Sequence, residues 1–312
     1  MAYKQISPKI VAEGGTGAVT LTDFGVLVGS GTTAITPLAV GTTGELLIGT
    51  SAADPAFGSS AAADFTFTTA SAGTTRALTV SNTDATAANY SSAQLDLIAQ
   101  SASTGDPFVH FNVNTGQDYA LGVDNSDSDA LKINDDTDPS TGNNLWKMTS
   151  SGERILPLQP AFSAYLPSDD LNETGDGTIY TLGDTDVGTA LTEEFDIGGN
   201  FTPGASGGAL FTAPVDGIYV FIINFYLYGI TGSHTSTIGA FAGSGITTHR
   251  FAQNDPGNVS ASGGFMVVGG TTIYQMSASD TLQGTIQLSG STKVVEIGGI
   301  QGLTYLQGYL LG

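Results

Sequence analysis

The sequence predicts an all-β protein, and three observations predict it. Glycine fills 43 of 312 positions and charged residues only 12%, with Thr, Ser, Val and Ile abundant, a composition that suits strands and turns and disfavours helical bundles. In segments such as "FVHFNVN" and "AQLDLIA" apolar residues recur at every second position, the signature of sheets with one buried face. Clusters of Asn, Asp, Gly and Ser stand between these segments as turn formers. The length favours two or three structural units, and a mean hydropathy of +0.10 lets the chain collapse.

The first unit, residues 1–60, is glycine-rich. "GVLVGSGTTAITPL" (Gly25 to Leu38) and "GELLIGTSAADPAF" (Gly44 to Phe57) share a Gly, an aliphatic triplet, a second Gly, a small polar run and a Pro. Each repeat reads as one short strand and one turn. One copy buries almost nothing, so the stretch needs copies packed within the chain or between chains, and glycine lets backbones approach closely. Such a stretch fits a thin shaft shared by several chains.

Residues 61–157 read as a small β-module with strands at "DFTFTTA", "RALTVSN", "AQLDLIAQ", "FVHFNVN", "YALGVD", "ALKIND" and "LWKMTS". "GERILPLQPAF" then joins two units, because Pro157 and Pro160 fix φ and remove donors, which places the boundary near Leu158. In the last unit, 158–312, the run "IYVFIINFYLYG" sets Tyr219, Phe221, Ile223, Phe225 and Leu227 on one face and Val220, Ile222, Tyr226 and Tyr228 on the other. Both faces are apolar, the second interrupted by Asn224. Either two layers of one chain cover the strand, or one face packs on a neighbouring subunit.

Charge and motifs exclude several classes of function. A net charge of −21 disfavours nucleic acid and anionic membranes as partners, and no run of about 18 apolar residues suits insertion into a membrane. With no cysteine, neither disulfides nor thiolate metal sites contribute. "GSGTTA" matches a dinucleotide fingerprint at Gly29, Gly31 and Ala34, but "ITPLAVG" follows where a helix is required. "GASGG" around Ser206 resembles a nucleophile elbow yet leads into a strand, with only His110, His234 and His249 in the whole chain. Glu193 and Glu194, adjacent on a strand, cannot flank one glycosidic bond. The acidic runs "DNSDSD" (Asp124 to Asp129) and "SDDLNETGD" (Asp169, Asp170, Glu173, Asp176) read as solvated turns, with calcium as the cofactor they could hold; Asp129 stands where a helix–loop–helix site requires glycine. No enzyme activity, other cofactor or metal is expected. Asn172, Asn200 and Asn258 are among the sequons.

"GALFTAPVDGIYVF", with Phe211, Pro214, Gly217, Tyr219 and Phe221, is similar to the signature of the globular heads of the complement and tumour necrosis factor family. "LTYLQGYLLG", with Tyr305, Gly308 and Leu310, resembles that family's closing strand, and Asp280 and Leu282 are placed like the segment before it. The N-terminal "MAYKQISPKIVAEGGTGAVTLTDFG", "GTTGELLIGT", "GDPFVHFNV" and "ALGVDNSDSDALKIN" look like parts of bacteriophage tail-fibre and collar-fibre proteins. The resemblance implies a ten-stranded jelly-roll knob on a β-module and a glycine-rich shaft, assembled as a homotrimer. It implies a virion fibre on the particle surface, anchored to other virion proteins by its N-terminal segment, whose knob binds a host-surface glycan or protein.

A purely structural decoration or connector is the alternative. Phe211, Tyr219, Phe221, Phe225, Tyr305 and Tyr309 are the expected core or trimer-contact residues. The loops "YGITGSHTSTIG" and "THRFAQNDPGNVSASG" are the expected receptor contacts, through His234, Thr235, His249, Arg250, Asn254 and Asn258.

Overall fold

A computed structural model describes residues 26–29, 33, 35–42, 45–49, 55–58, 79–80, 93–99, 105–256 and 264–312. The chain divides into two compact units, Met1–Gln94 and Leu95–Gly312.

In the first unit, β1 (Leu27–Val28) pairs antiparallel with β2 (Thr36–Pro37), and β3 (Leu46–Ile48) with β4 (Ala56–Gly58). Each glycine-rich repeat is therefore a hairpin of two short strands rather than the one strand and one turn expected. The sequence has no alternation in the second strand because Thr36–Pro37 and Ala56–Gly58 are too short to show a period. Glycine serves close approach here: a Cβ on Gly41 would lie 2.6 Å from the ring of Phe57. The segments "DFTFTTA" and most of "RALTVSN" lie outside the described residues. "AQLDLIAQ" forms no strand over 93–99, and Leu95, Leu97 and Ile98 are exposed.

The second unit begins with a five-stranded antiparallel meander: β5 (Phe108–Phe111), β6 (Tyr119–Asp124), β7 (Ala130–Asn134), β8 (Asn144–Met148) and β9 (Arg154–Ile155). Its covered face is built from small and polar residues. Ala120, Ala130, Asn134, Asp124 and Lys132 are all buried. On this face Phe108 lies over Gly122, where a Cβ would clash with the phenylalanine. The tight turn at 125–127 folds back, so that Lys132 Nζ meets Asp124 at 2.5 Å and Asp127 at 2.8 Å, while Lys147 meets Asp127 at 2.6 Å. The run "DNSDSD" is thus a capped turn whose Asp124 carboxylate also accepts the amides of Ser126 and Asp127. Burial raises the Asp124 pKa, but the hydrogen bonds from Lys132 and Ser126 outweigh it and hold the carboxyl below its ordinary value.

After β9, residues 156–160 belong to no strand, and the chain enters a second architecture at β10 (Ala161–Tyr165). The strands that follow are β11 (Asp170–Thr174), β12 (Ile179–Thr181), β13 (Thr192–Ile197), β14 (Phe201–Thr202), β15 (Leu210–Thr212) and β16 (Gly217–Ile230). Then come β17 (Ser236–Ala242), β18 (His249–Asn254), β19 (Gly264–Met276), β20 (Thr281–Ser289), β21 (Val295–Ile297) and β22 (Tyr305–Leu310). They form two sheets, whose main strands run β13-β10-β22-β16-β19 and β14-β15-β20-β17-β18. The first sheet is extended by β21 and β11, the second by β12. The pairs β10–β22, β15–β20, β16–β19 and β17–β18 are nested, as when a long hairpin is rolled up, and this order defines a jelly roll.

The core lies between the two sheets. Tyr219, Phe221, Ile223, Phe225 and Leu227, alternate residues of β16, are at most 1% exposed. Phe221 sits at the centre of a ring cluster, 5.2 Å from Phe211, 6.4 Å from Phe162 and 6.4 Å from Phe241 by ring centroid. Gly308 admits this packing, since a Cβ there would stand 2.6 Å from both Phe162 and Phe221. Of the expected core or trimer set, Phe211, Tyr219, Phe221 and Phe225 belong to this single-chain core, whereas Tyr305 and Tyr309 point to the opposite side of their sheet.

Candidate functional site

The outer side of the seven-stranded sheet is where the second apolar face of β16 emerges. Register places Val220 between Tyr309 of β22 and Ile273 of β19, and Ala161 carries the row on to Ile197. The next row is Phe195, Ser163, Gln307, Ile222 and Thr271. Farther along, Tyr226 stacks on Phe265 with centroids 5.8 Å apart, and Tyr228 lies tilted against the same ring at 6.4 Å. Phe265, Ile273 and Val267 are each about 60% exposed, and Ile218 and Tyr309 are each 43% exposed. Among the described residues, the inner face of β16 is fully buried, whereas on its outer face Val220 is buried, Ile222, Tyr226 and Tyr228 are half-buried and Ile218 is exposed.

A polar spot interrupts this face. Ser163 donates to Glu194 at 2.6 Å, Gln301 donates to the same carboxylate at 2.5 Å, and Gln307 donates to Ser163 at 3.1 Å. The hydrogen bonds from Ser163 and Gln301 hold the Glu194 pKa below its ordinary value. A register shift between Ser163 and Ala164 gives β13 an extra residue at Glu194, which lets its carboxylate share the outer face with Phe195.

The expected receptor-contact residues are dispersed. The joint at 156–160 abuts the end of the knob where β16 begins, because Leu310 N–H donates to Pro160 O and Ile218 N–H to Gly312 O. The 231–235 turn and Asn254 lie at the other end, where Asn254 pairs with Thr237. There His234 is fully buried rather than an exposed contact: Nδ1 accepts the Thr231 amide at 3.0 Å, and Nε2 makes no hydrogen bond among the described residues. Its small polar neighbours in "GSHTST" gave no sign of burial. Thr235 is exposed, and Asn258 lies outside the described residues.

His249, Arg250 and Asn254 stand on strand β18 and not on a loop. A register shift between Gly239 and Ala240 lets both Phe251 and Ala252 turn toward the core and leaves Arg250 and Gln253 outward. Arg250 then borders a groove of about 290 Å³ on the outside of the six-stranded sheet, floored by Ile238, Ala240 and Thr285 and closed by Ile179. No carboxylate among the described residues forms an ion pair with it. The reading of "THRFAQN" as a loop failed because the polar residues hid the strand, whose parity is broken by the bulge.

The acidic run at 169–176 is spent on internal bonds. Asp169 accepts from Tyr228 and the Gly299 amide, Asp170 from Tyr180 and the Thr189 amide, and Asp176 from Thr178. Glu173 is buried, and burial, then the charges of Asp170 and Asp184, push its pKa up against the pull of Lys293. No group of three or more His, Cys, Asp or Glu is arranged to hold a metal ion among the described residues. Ser206 donates to Asp186 at 2.5 Å.

No family model and no curated protein matches the chain. Among solved structures, it is similar to murine APRIL at pH 8.5, with 8% identity and a TM-score of 0.33, over 49% of this chain and 99% of that one. Murine APRIL at pH 8.0 and at pH 5.0 each gives 10% identity and a TM-score of 0.30 over the same shares. Scores this low carry no argument, and the jelly roll rests on the strand pairing itself.

Proposed function

We propose that the chain is a structural fibre protein of a virus particle, a bacteriophage fibre or spike, which forms a homotrimer and presents its C-terminal knob to a host-surface receptor. The observation that carries the reading is the outer face of the seven-stranded sheet. A largely apolar surface flanked by tyrosines and broken by the polar spot at Ser163, Glu194 and Gln307, on a chain of net charge −21, is the surface at which like-charged copies can meet. The fibre resemblance of the N-terminal repeats supplies the setting, with residues 1–60 toward the particle and the knob outward. Receptor contact by three equivalent sites per knob gains avidity without strong single contacts. The groove beside Arg250 and the turn at 231–235 are the surfaces left free when the seven-stranded sheet is covered.

Adsorption tests this. Purified full chain in excess slows attachment of the parent particle to its host, and the Ile222→Lys variant, which places a charge on the outer face of the seven-stranded sheet, does not. A chain that trimerises yet leaves adsorption untouched is instead a decoration or connector without receptor binding.

A further inference from the structure

We infer that the open face of the five-stranded sheet β5–β9 is a second self-association surface, where the modules of the copies in one homotrimer pack against one another. This extends the self-association proposed for the knob to a separate part of the chain. It stands on an inversion: the sheet covers its polar face and leaves its apolar face open.

Register fixes the composition of the open face. One row runs Val109, Leu121, Ile133 and Trp146 across β5, β6, β7 and β8. Beside it run Phe111 with Tyr119 on one side, and Val123, Leu131 and Met148 on the other. Phe111 is 52% exposed, Tyr119 40%, Val109 38%, and Leu121 and Ile133 37% each. The opposite face holds Asp124, Lys132 and Asn134, all buried under the sheet's own turns. In an ordinary half-covered sheet the two sets would be exchanged.

Three arguments commit the occupant to further copies of this chain. First, a single layer with an open apolar face lacks the second layer that a stable domain requires, so the cover must be present as the module folds, and identical copies are always at hand. Second, Arg154, which ends the row Val123, Leu131 and Met148 on the edge strand, is the one charged side chain in these rows, and it is a cation. Strongly acidic copies can therefore approach here without burying carboxylates. Third, the face offers on the order of 500 Å² of apolar surface, against roughly 800 Å² per partner in a stable interface. The knob's outer face supplies the remainder in the same assembly.

The chain contains no cysteine, so single-cysteine variants give clean readings. Ile133→Cys, with Leu121→Cys as a second reporter, is treated as full-length protein with a short bis-maleimide and resolved on a denaturing gel. Thr137→Cys, on the exposed loop covering the polar face, is the control, and Ile222→Cys reports the knob separately. Unchanged circular dichroism establishes that each variant folds. Covalent chain-to-chain products at least ten-fold above the control at both module positions are expected. Ile133→Cys and Leu121→Cys products no higher than the control overturn the inference, and Ile222→Cys then decides whether the knob's self-association survives. Thiols shielded from reagent without chain-to-chain products overturn it too, by assigning the cover to the chain's own upstream segment, whose Leu95, Leu97 and Ile98 are exposed.

Discussion

Replacing Lys132 with methionine removes the cation from a buried triad while keeping most of the side-chain volume. The Lys132 side chain is 6% exposed and that of Asp124 3%, so the variant leaves an ionised carboxylate with little access to water. Asp127 is 37% exposed and keeps Lys147 at 2.6 Å, so its loss is small and the effect belongs to Asp124. Breaking one side of a buried pair costs about 3–5 kcal/mol, and a single orphaned carboxylate belongs at the lower end. Adding Asp124→Asn removes the stranded charge but retains the Oδ1 that accepts the Ser126 and Asp127 amides. The double variant should recover at least about 1 kcal/mol of the loss. Trp146, the one tryptophan in the chain, lies on β8 opposite Ile133 in the same sheet, so its fluorescence during urea unfolding reads this module. Protein concentration is held fixed, because association adds to apparent stability. A Lys132→Met variant within about 1 kcal/mol of the parent, or a double variant weaker than the single, refutes the reasoning.

Other perturbations test other parts of the account. Gly308→Ala drives a Cβ against Phe162 and Phe221 and should cost about 1–3 kcal/mol in thermal or urea unfolding of the knob, as overpacking does. The pKa values of Asp124 and Asp127 are held below their ordinary value of 3.8, so the stability they give is fully present above that pH and is lost as pH falls through the lowered folded values. Acid titration of Trp146 fluorescence should therefore show the module opening below about pH 3.8 in the parent, with a smaller acid-dependent loss in Asp124→Asn. Glu173 has a raised pKa, so its ionised form weakens the fold at neutral pH. Glu173→Gln should raise the melting temperature by about 2–4 °C at pH 7, and the gain should shrink on acidification as Glu173 takes up a proton.

The all-β class, the strands of 108–148 and both faces of β16 are legible in the sequence, because alternation of period two survives where no bulge breaks the strand. Alternation does not say which face is covered. In the module, Asp124 and Lys132 face the covered side because they neutralise each other, a pairing that appears only once β6 and β7 are set in register. The same limit explains Leu95 to Ile98, whose alternation is present although 93–99 form no strand. On β18 the bulge puts Phe251 and Ala252 on one side, so the polar outward residues resembled a loop. The burial of His234 comes from the fold of the 231–235 turn, and the sequence around it carries only small polar residues, which give no sign of it.

The account turns on copies of the chain covering two apolar sheet faces that one chain leaves open, and the solution mass tests this most directly. Light scattering on full-length protein across a range of concentrations should give three times 31.7 kDa, falling toward 31.7 kDa in Ile222→Lys with its circular dichroism retained. A parent chain that stays at 31.7 kDa while fully folded contradicts the account, since its apolar faces would then be stable in water on their own.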